Sequence, residues 1–172
     1  PEKKETAVAD KSWATNGHQN KRKKNIVHSL YIQPEELENL VKERYERYEK
    51  IKEEEQRAEE FMMDDAEYVV VAFGASSRVA RSAIIKAREE GIKVGMIRPI
   101  TLWPFPDKTI EKSIANAKKY LCVEMNMGQM VDDVRLVVNG RKEVAFFGRT
   151  GGVIPTPAEV LDQIRALAGK EM

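Results

Sequence analysis

The stretch that decides the fold is Tyr68-Val69-Val70-Val71-Ala72-Phe73-Gly74-Ala75-Ser76-Ser77-Arg78. Its first six residues are almost all apolar, which predicts a strand covered on both faces, as in the sheet of an α/β protein. Gly74 permits a tight turn, and Ser76 or Ser77 is expected to cap the helix that follows. Gly91 is expected to close that helix before the next apolar run begins. Strand, glycine turn, helix and strand together make a βαβ unit.

The same alternation continues to the C-terminus. Asp107 is expected to cap a short helix, and 119–125 and 143–147 are predicted strands on either side of a helix over 128–138. Thr156-Pro157-Ala158-Glu159 has the form of a capping box with proline at the first helical position, and it opens the last helix. We therefore predict a three-layer α/β/α domain with a mostly parallel sheet over 64–172.

Two different segments precede this domain. Residues 1–33 hold few apolar side chains and the basic cluster Lys21-Arg22-Lys23-Lys24, which predicts an extended, solvated polar arm. Trp13 either anchors that arm or is simply exposed. Residues 34–63 are predicted to be a long charged helix and linker, with the helix running from Pro34 to about Phe61. The helix carries one apolar stripe, which consists of Leu37, Leu40, Val41, Tyr45, Tyr48 and Ile51. The first half of the helix is therefore expected to pack against another part of the chain or a partner.

Composition excludes several classes of protein. The 29 basic and 28 acidic side chains leave a net charge of +1, so we expect neither nucleic acid nor a membrane as partner. The single cysteine, Cys122, cannot alone form a disulfide, a zinc site or an iron–sulfur site, and its apolar neighbours predict a small buried side chain. No apolar run reaches the roughly 20 residues of a membrane span, and no secretory leader is visible. A cytoplasmic location is expected.

The most distinctive motif is Arg98-Pro99-Ile100-Thr101-Leu102-Trp103-Pro104-Phe105-Pro106, which ends the second predicted strand. Proline fixes its own φ and restricts the residue before it, so the motif predicts a rigid aromatic elbow. The elbow follows the carboxyl end of a strand, which is the edge where α/β sheets meet ligands and partner chains. We therefore predict an interface made of Trp103, Phe105, Asn126, Met127, Gln129 and Met130.

Anion binding is the second predicted role of this edge. Gly74, Ser76 and Ser77 lie where free backbone N–H groups at a helix N-terminus can hold a phosphate or carboxylate, although they can equally serve as structural caps. Arg98 and Arg149 could add guanidinium groups, the latter from a glycine-rich turn. The G-x-G-x-x-G spacing of dinucleotide-binding proteins is missing. No catalytic residue and no metal ligand can be assigned, because His18 and His28 fall in the polar arm and no paired carboxylates stand out.

Three of these motifs occur in an order that resembles a known family. They are Ala72-Phe73-Gly74-Ala75-Ser76-Ser77-Arg78, the stretch 95–106, and Val123-Glu124-Met125-Asn126-Met127-Gly128-Gln129-Met130. The chain resembles the C-terminal region of the alpha-type subunit of 2-oxoacid:ferredoxin oxidoreductases, whose core has the fold of the transketolase C-terminal domain. The upstream Ser29-Leu30-Tyr31-Ile32-Gln33-Pro34-Glu35-Glu36-Leu37 is similar to the branch that acts on 2-oxoisovalerate. The resemblance also implies a fifth strand and one antiparallel edge, which the sequence pattern does not place.

The resemblance implies a function for a larger complex. Such a complex converts a 2-oxoacid, coenzyme A and oxidised ferredoxin to an acyl-coenzyme A, carbon dioxide and reduced ferredoxin, using thiamine diphosphate, magnesium and iron–sulfur clusters. This chain would contribute scaffold and interface to the other subunits, bind none of those cofactors alone, and turn Arg98 and Arg149 toward the nucleotide end of coenzyme A. Because it starts at Pro1 and is short for such a subunit, we expect a fragment or a trimmed chain.

Two alternatives share the predicted fold. One is the C-terminal domain of a thiamine-dependent 2-oxoacid dehydrogenase beta subunit, which would lack an iron–sulfur partner. The other is a stand-alone flavodoxin-like module that binds a nucleotide or a protein, which would lack a preceding thiamine domain.

Overall fold

The computed structural model describes Ser12, Ala14 and residues 17–169. The chain comprises two units, Pro1–Glu43 and Arg44–Met172. In the first unit, residues 17–33 form turns and extended chain without a helix or strand. Trp13 lies outside the described residues, so its anchoring stays a prediction.

Helix α1 spans Pro34–Glu54 and starts at its proline, as predicted, with Glu35 and Glu36 in the first turn. No α1 residue is buried, so the apolar stripe does not enter a core, contrary to the expectation for its first half. The prediction that the helix runs to about Phe61 is also wrong. Residues Ala58–Phe61 instead form strand β1, because the neighbouring strand offers its backbone: Ile100 N–H donates to the Arg57 carbonyl at 2.9 Å.

The second unit is built on one five-stranded sheet. Its further elements are β2 Tyr68–Ala72, α2 Gly74–Glu89, β3 Val94–Pro99, α3 Asp107–Ser113, β4 Lys119–Glu124, α4 Met130–Val138, β5 Glu143–Gly148 and α5 Pro157–Leu167. The strand order is β1-β3-β2-β4-β5. All neighbouring strands are parallel except β1, which runs antiparallel to β3. This confirms the predicted α/β class, and β1 is the antiparallel edge that the resemblance implies.

The core lies on both faces of the sheet. On one face, Val70 and Ala72 pack with apolar residues of α2 and α5. On the other face, Val69 and Val71 pack with residues of α3 and α4. The prediction that β2 is covered on both faces is confirmed. Successive side chains of a strand point to opposite faces, so a strand covered on both faces is apolar throughout.

The helix ends test the capping predictions. The capping box of α5 is confirmed, and Gly91 ends α2 with φ +78°, where Ile92 N–H donates to the Ala87 carbonyl at 3.0 Å. The cap predicted at Ser76 or Ser77 is wrong, because α2 already begins at Gly74 and both serines lie buried in its first turns. Asp107 is likewise the first residue of α3 rather than its cap.

Candidate functional site

A polar cleft of about 600 Å³ opens where β1 and β3 meet the first turn of α2. Its wall consists of Glu59, Gly74, Ala75, Ser77, Arg78, Arg81, Met96 and Arg98. The topology brings these residues together, because Glu59 on β1 is the register partner of Arg98 on β3, and α2 starts directly after the central strand β2. The cleft thus lies at the carboxyl edge of the sheet, where ligands of α/β proteins bind.

Glu59 links two arginines of this cleft. Arg98 Nη1 donates to Glu59 Oε2 at 2.7 Å, and Arg81 Nη2 donates to Glu59 Oε1. Arg81 also lies over the ring of Phe61, with 4.2 Å between its guanidinium carbon and the ring centroid. The hydrogen bond from Arg98, with the nearby charge of Arg81, lowers the pKa of the Glu59 carboxyl below its ordinary value. The carboxylate is therefore ionised at neutral pH and holds both guanidinium groups at the cleft.

The third arginine is in a different situation. Within the part of the chain that the structure describes, Arg78 forms no hydrogen bond and no ion pair, and its side chain is exposed. It stands on α2, whose first turn carries no acidic residue and whose start has no side-chain cap. The first N–H of α2 with a backbone acceptor is that of Ser77, which reaches the Phe73 carbonyl at 3.4 Å. The earlier N–H groups remain open, as at any helix start without a cap.

The predicted anion-binding residues are only partly brought together. Gly74, Ser77 and Arg98 line the cleft, and Gly74 has the positive φ of +58° that favours glycine. Ser76 is buried next to them and does not line it. Arg149 is not part of this cleft either: it follows β5, two strands away from β2, and pairs with Glu159 at 2.7 Å. Sequence reasoning missed Glu59, Arg78 and Arg81, although the i, i+3 spacing of the two arginines on α2 was a usable signal.

The aromatic elbow separates into an exposed half and a packed half. Trp103 is 55% exposed and makes an edge-to-face contact with Tyr48 of α1, with 5.3 Å between ring centroids. Phe105 is partly buried and packs against the core cluster beneath α3 and α4. Trp103 therefore remains available to a partner, whereas Phe105 mainly serves the domain's own core.

The segment after β4 is organised by a residue that the sequence analysis did not single out. Glu124 is fully buried, and its carboxylate accepts hydrogen bonds from the N–H groups of Met130 and Val131 at 2.9 Å each. The N–H of Gln129 and the side-chain amide of Asn126 also donate to it, at 3.3 and 3.1 Å. The Asn126 amide, predicted to lie at an interface, is thus bound within the chain. The only sequence feature that pointed to this role of Glu124 is its position as a single acidic residue at the end of an apolar strand.

The two predicted methionines differ in the same way. Met127 is 79% exposed, whereas Met130 is 4% exposed and belongs to the core. Met130 therefore offers no surface to a partner, contrary to its predicted place in an interface. Exposed apolar side chains nevertheless follow three strands at this edge, and they are Ile100, Leu102 and Trp103 after β3, Met125 and Met127 after β4, and Val153 and Ile154 after β5.

In residues 17–169, no group of three His, Cys, Asp or Glu side chains is placed to hold a metal ion. Cys122 is buried, as predicted, and burial raises the pKa of its thiol. Across the same part of the chain, none of the helices combines the length and the apolar character that crossing a membrane requires.

Comparison with known structures supports the fold. The structure of 2-oxoglutarate:ferredoxin oxidoreductase from Magnetococcus marinus, with 2-oxoglutarate, coenzyme A and succinyl-CoA bound, matches with a TM-score of 0.64 at 19% identity. The match covers 80% of this chain and 24% of that chain. A split gene transketolase, an inactive beta4 tetramer, matches with a TM-score of 0.56 at 16% identity, over 67% of this chain and 42% of that one. The predicted transketolase-like fold is thereby confirmed.

Comparison with sequences identifies the family. The chain is 44% identical to the ketoisovalerate oxidoreductase subunit VorB of Methanothermobacter thermautotrophicus. The alignment covers 160 residues, which is 93% of this chain. The chain spans only 45% of that relative's length. A family model described as pyruvate:ferredoxin oxidoreductase core domain II matches residues 66–160, more than half of the chain. The resemblance to 2-oxoacid:ferredoxin oxidoreductases is confirmed for the family, and the chain belongs to the pyruvate:ferredoxin oxidoreductase core domain II family.

Proposed function

We propose that this chain is the scaffold and interface domain of a subunit in a 2-oxoacid:ferredoxin oxidoreductase, and that it joins other subunits through the carboxyl edge of its sheet. The observation that carries the proposal is the row of exposed apolar side chains after β3, β4 and β5, with Trp103 and Met127 as its largest exposed members. Exposed aromatic and methionine side chains are the types enriched at the centres of protein interfaces.

The proposed complex oxidatively decarboxylates a 2-oxoacid and transfers the acyl group to coenzyme A, while electrons pass to ferredoxin. Thiamine diphosphate with magnesium supplies the carbanion chemistry, and iron–sulfur clusters carry the electrons. The described residues of this chain do not fit a cluster or a metal-bound diphosphate, since they include no group of three metal-ligating side chains and their one cysteine is buried. We therefore assign no chemical step to this chain and propose that other domains and subunits hold those cofactors. The proposed location of the complex is the cytoplasm.

The proposed substrate is a branched-chain 2-oxoacid such as 2-oxoisovalerate. Support comes from the 44% identical relative, a ketoisovalerate oxidoreductase subunit, which aligns with 93% of this chain. Coenzyme A is proposed to approach the carboxyl edge of the sheet, with Gly74, Ser77 and Arg98 as the chain's own contacts. Ser76 and Arg149 support this role less well, because neither lines the cleft.

The test is reconstitution with partner subunits. The full-length protein that contains this chain is co-expressed with the neighbouring subunits, and ferredoxin reduction is measured with 2-oxoisovalerate, 2-oxoglutarate and pyruvate in the presence of coenzyme A. We expect the highest kcat/KM with 2-oxoisovalerate. Calorimetry of the chain alone with magnesium and thiamine diphosphate should give no binding heat. Electron transfer to NAD instead of ferredoxin, or tight thiamine diphosphate binding by the chain alone, would contradict the proposal.

The two alternatives find less support. Both share an α/β architecture, but the family model and the 44% identical relative belong to oxidoreductases of the 2-oxoacid:ferredoxin type. A stand-alone flavodoxin-like module or a dehydrogenase beta subunit is therefore the weaker hypothesis.

A further inference from the structure

We propose that strand β5 pairs with the same strand of a second copy of this chain, so that the two sheets join side by side across a twofold axis at Phe146. The inference concerns the outer side of β5, which is the side away from β4. It does not depend on the proposed function, which uses the carboxyl edge of the sheet instead. In the part of the chain that the structure describes, no strand pairs with the outer side of β5.

The two outermost strands of the sheet differ in how well they resist such pairing. β1 has four residues and carries Glu59 and Glu60, and short, charged edge strands are a common protection against pairing with another chain. β5 has six residues, contains no proline, and is apolar from Val144 to Phe147. These apolar side chains stay only half-buried, although they pack on the cores of both faces. β5 is therefore the side of the sheet to which another strand can be added.

The backbone of β5 determines which of its residues can pair outward. Arg149 N–H donates to the Glu124 carbonyl at 3.1 Å, so the backbone groups of Arg149 face β4. Backbone groups alternate between the two sides of a strand, so those of Val144, Phe146 and Gly148 face outward. A twofold axis at Phe146 sets this residue opposite its own copy and Val144 opposite Gly148 of the second copy. Each pair exchanges both of its N–H···O bonds, so every outward group of the three residues gains a partner.

The charges beside this strand are complementary in the same arrangement. Glu143 of each copy lies opposite Arg149 of the other copy, on the face of the sheet that α5 covers. Both side chains are exposed, at 60% and 42%, and within the chain they pair with Lys119 and Glu159. Joining two copies extends these pairs into a row of alternating sign, which is Lys119, Glu143, Arg149 and Glu159. The symmetry produces this row twice, and opposite charges on facing strand positions stabilise a sheet.

Neighbouring registers lack this match. An axis at Ala145 sets Arg141 opposite Arg149 of the second copy, and like charges directly opposite each other are destabilising. An axis at Phe147 leaves both members of the charged pair opposite uncharged residues. An axis between two residues is excluded, because it sets outward backbone groups opposite groups that face β4. With the axis at Phe146, Phe147 faces Ala145, a large residue against a small one, and two phenylalanines meet at the axis.

The first test is disulfide cross-linking of the 172-residue chain, combined with sedimentation equilibrium of the wild type. Phe146→Cys should give a disulfide-linked dimer on oxidation, because the two Cα atoms at the axis lie about 5.5 Å apart. Val144→Cys is the matched control, since Val144 is a half-buried apolar residue on the same face of the same strand. Its own copy lies about 13 Å away, four residues along a strand, so it should not cross-link. The native Cys122 is buried and does not compete.

The second test reverses charges and leaves the apolar strand unchanged. Glu143→Arg should raise the Kd of the dimer at least about fivefold, because both symmetric pairs change from attraction to repulsion. Arg149→Glu should do the same, and the double variant should recover most of the affinity. Such a rescue cannot come from the pairs within the chain, which the double variant leaves with like charges. Lys119→Ala is the control, because it removes the internal partner of Glu143 and keeps the contact between copies.

Three results would overturn the proposal. One is a wild-type chain that stays monomeric at about 1 mM, which would leave the outer side of β5 to a strand of a different protein. Another is cross-linking of Val144→Cys to the same extent as Phe146→Cys, which would exclude an axis at Phe146. The third is a double charge variant that dimerises no better than either single variant. Circular dichroism of every reduced variant verifies that the chain is folded.

Discussion

The fully buried carboxylate of Glu124 caps helix α4 from the strand that precedes it. Gln129, the residue at the N-cap position, makes no side-chain capping bond, and Glu124 accepts from the first two helical N–H groups instead. A carboxylate at a helix start gains from the helix dipole and from hydrogen bonds that remain strong away from water. Its charge is balanced by oriented N–H donors rather than by a basic side chain, so the neutral amide is a poor replacement.

Glu124→Gln is therefore expected to lower the free energy of unfolding by about 2–4 kcal/mol, because the amide NH₂ faces N–H donors and leaves one of them without an acceptor. Glu143→Gln is the matched control. Glu143 pairs with Lys119 at 2.9 Å, but its side chain is 60% exposed, so its loss should cost less than about 1 kcal/mol. Urea unfolding of both variants measures the difference. Equal effects would show that the buried cap does not stabilise α4.

Cys122 lies two residues before Glu124 on the same strand, β4, and its thiol is shielded by the core. Burial raises the pKa of the thiol, and the reactive species of cysteine is the thiolate. We expect no reaction with Ellman's reagent at pH 8 in the folded chain and rapid, stoichiometric reaction in urea. Fast labelling without denaturant would show that β4 opens locally and would contradict the observed burial.

At the scale of elements, the reciprocal cap of α5 is the clearest local determinant. Thr156 Oγ1 accepts from the Glu159 N–H at 3.2 Å, and the Thr156 N–H donates to the Glu159 carboxylate at 2.8 Å. Thr156→Ala should lower the free energy of unfolding by about 1 kcal/mol, and Thr156→Ser should retain most of it because the hydroxyl acceptor remains. Thermal or urea unfolding of the pair decides the matter. Similar losses in both variants would mean that the threonine methyl, rather than the cap, stabilises the helix start.

The elements also show why some local predictions fail. The capping box could be predicted because both of its partners lie within four residues. The caps assigned to Ser76 or Ser77 and to Asp107 could not be predicted in this way, because the residue at which each helix begins depends on the turn before it. Strand β1 is a further case: Ala58-Glu59-Glu60-Phe61 has no strand signature, and its conformation is imposed by pairing with β3.

For the whole molecule, the layered architecture could be predicted because β2 and its flanking helices carry strong, short-range apolar patterns. The arginine cleft could be predicted only in part. Gly74 and Ser77 follow the recognisable end of β2, and Arg98 lies near the end of β3, but Glu59 enters the site from the unforeseen edge strand. Arg149 is predicted to join Arg98 at the nucleotide end of coenzyme A, yet β5 and β3 lie on opposite sides of the central pair β2 and β4. Strand order is set by packing between distant segments, which local sequence does not encode.

The strand order also determines which residues lie at the carboxyl edge of the sheet, the surface through which we propose that the domain binds other subunits. Trp103 and Met127 follow β3 and β4 and project large apolar side chains that the domain's own core does not use. Aromatic and methionine side chains are enriched at the centres of interfaces, and a few of them carry most of the binding energy. Phe105 belongs to the same elbow but packs on the core, so a Phe105 variant serves as the control for a loss of stability without a loss of interface.

In the full-length protein, the double change Trp103→Ala and Met127→Ala should weaken association with the partner subunits at least about 30-fold, as for the loss of an interface hot spot. Its melting temperature should fall only slightly, because the intramolecular loss is chiefly the Trp103–Tyr48 ring contact, worth about 0.5–1.5 kcal/mol. Phe105→Ala should behave in the opposite way, lowering the free energy of unfolding by about 1–3 kcal/mol with association of the folded fraction preserved. Analytical ultracentrifugation and thermal unfolding of both variants separate the effects. Wild-type assembly by the double variant would remove the carboxyl edge from the interface.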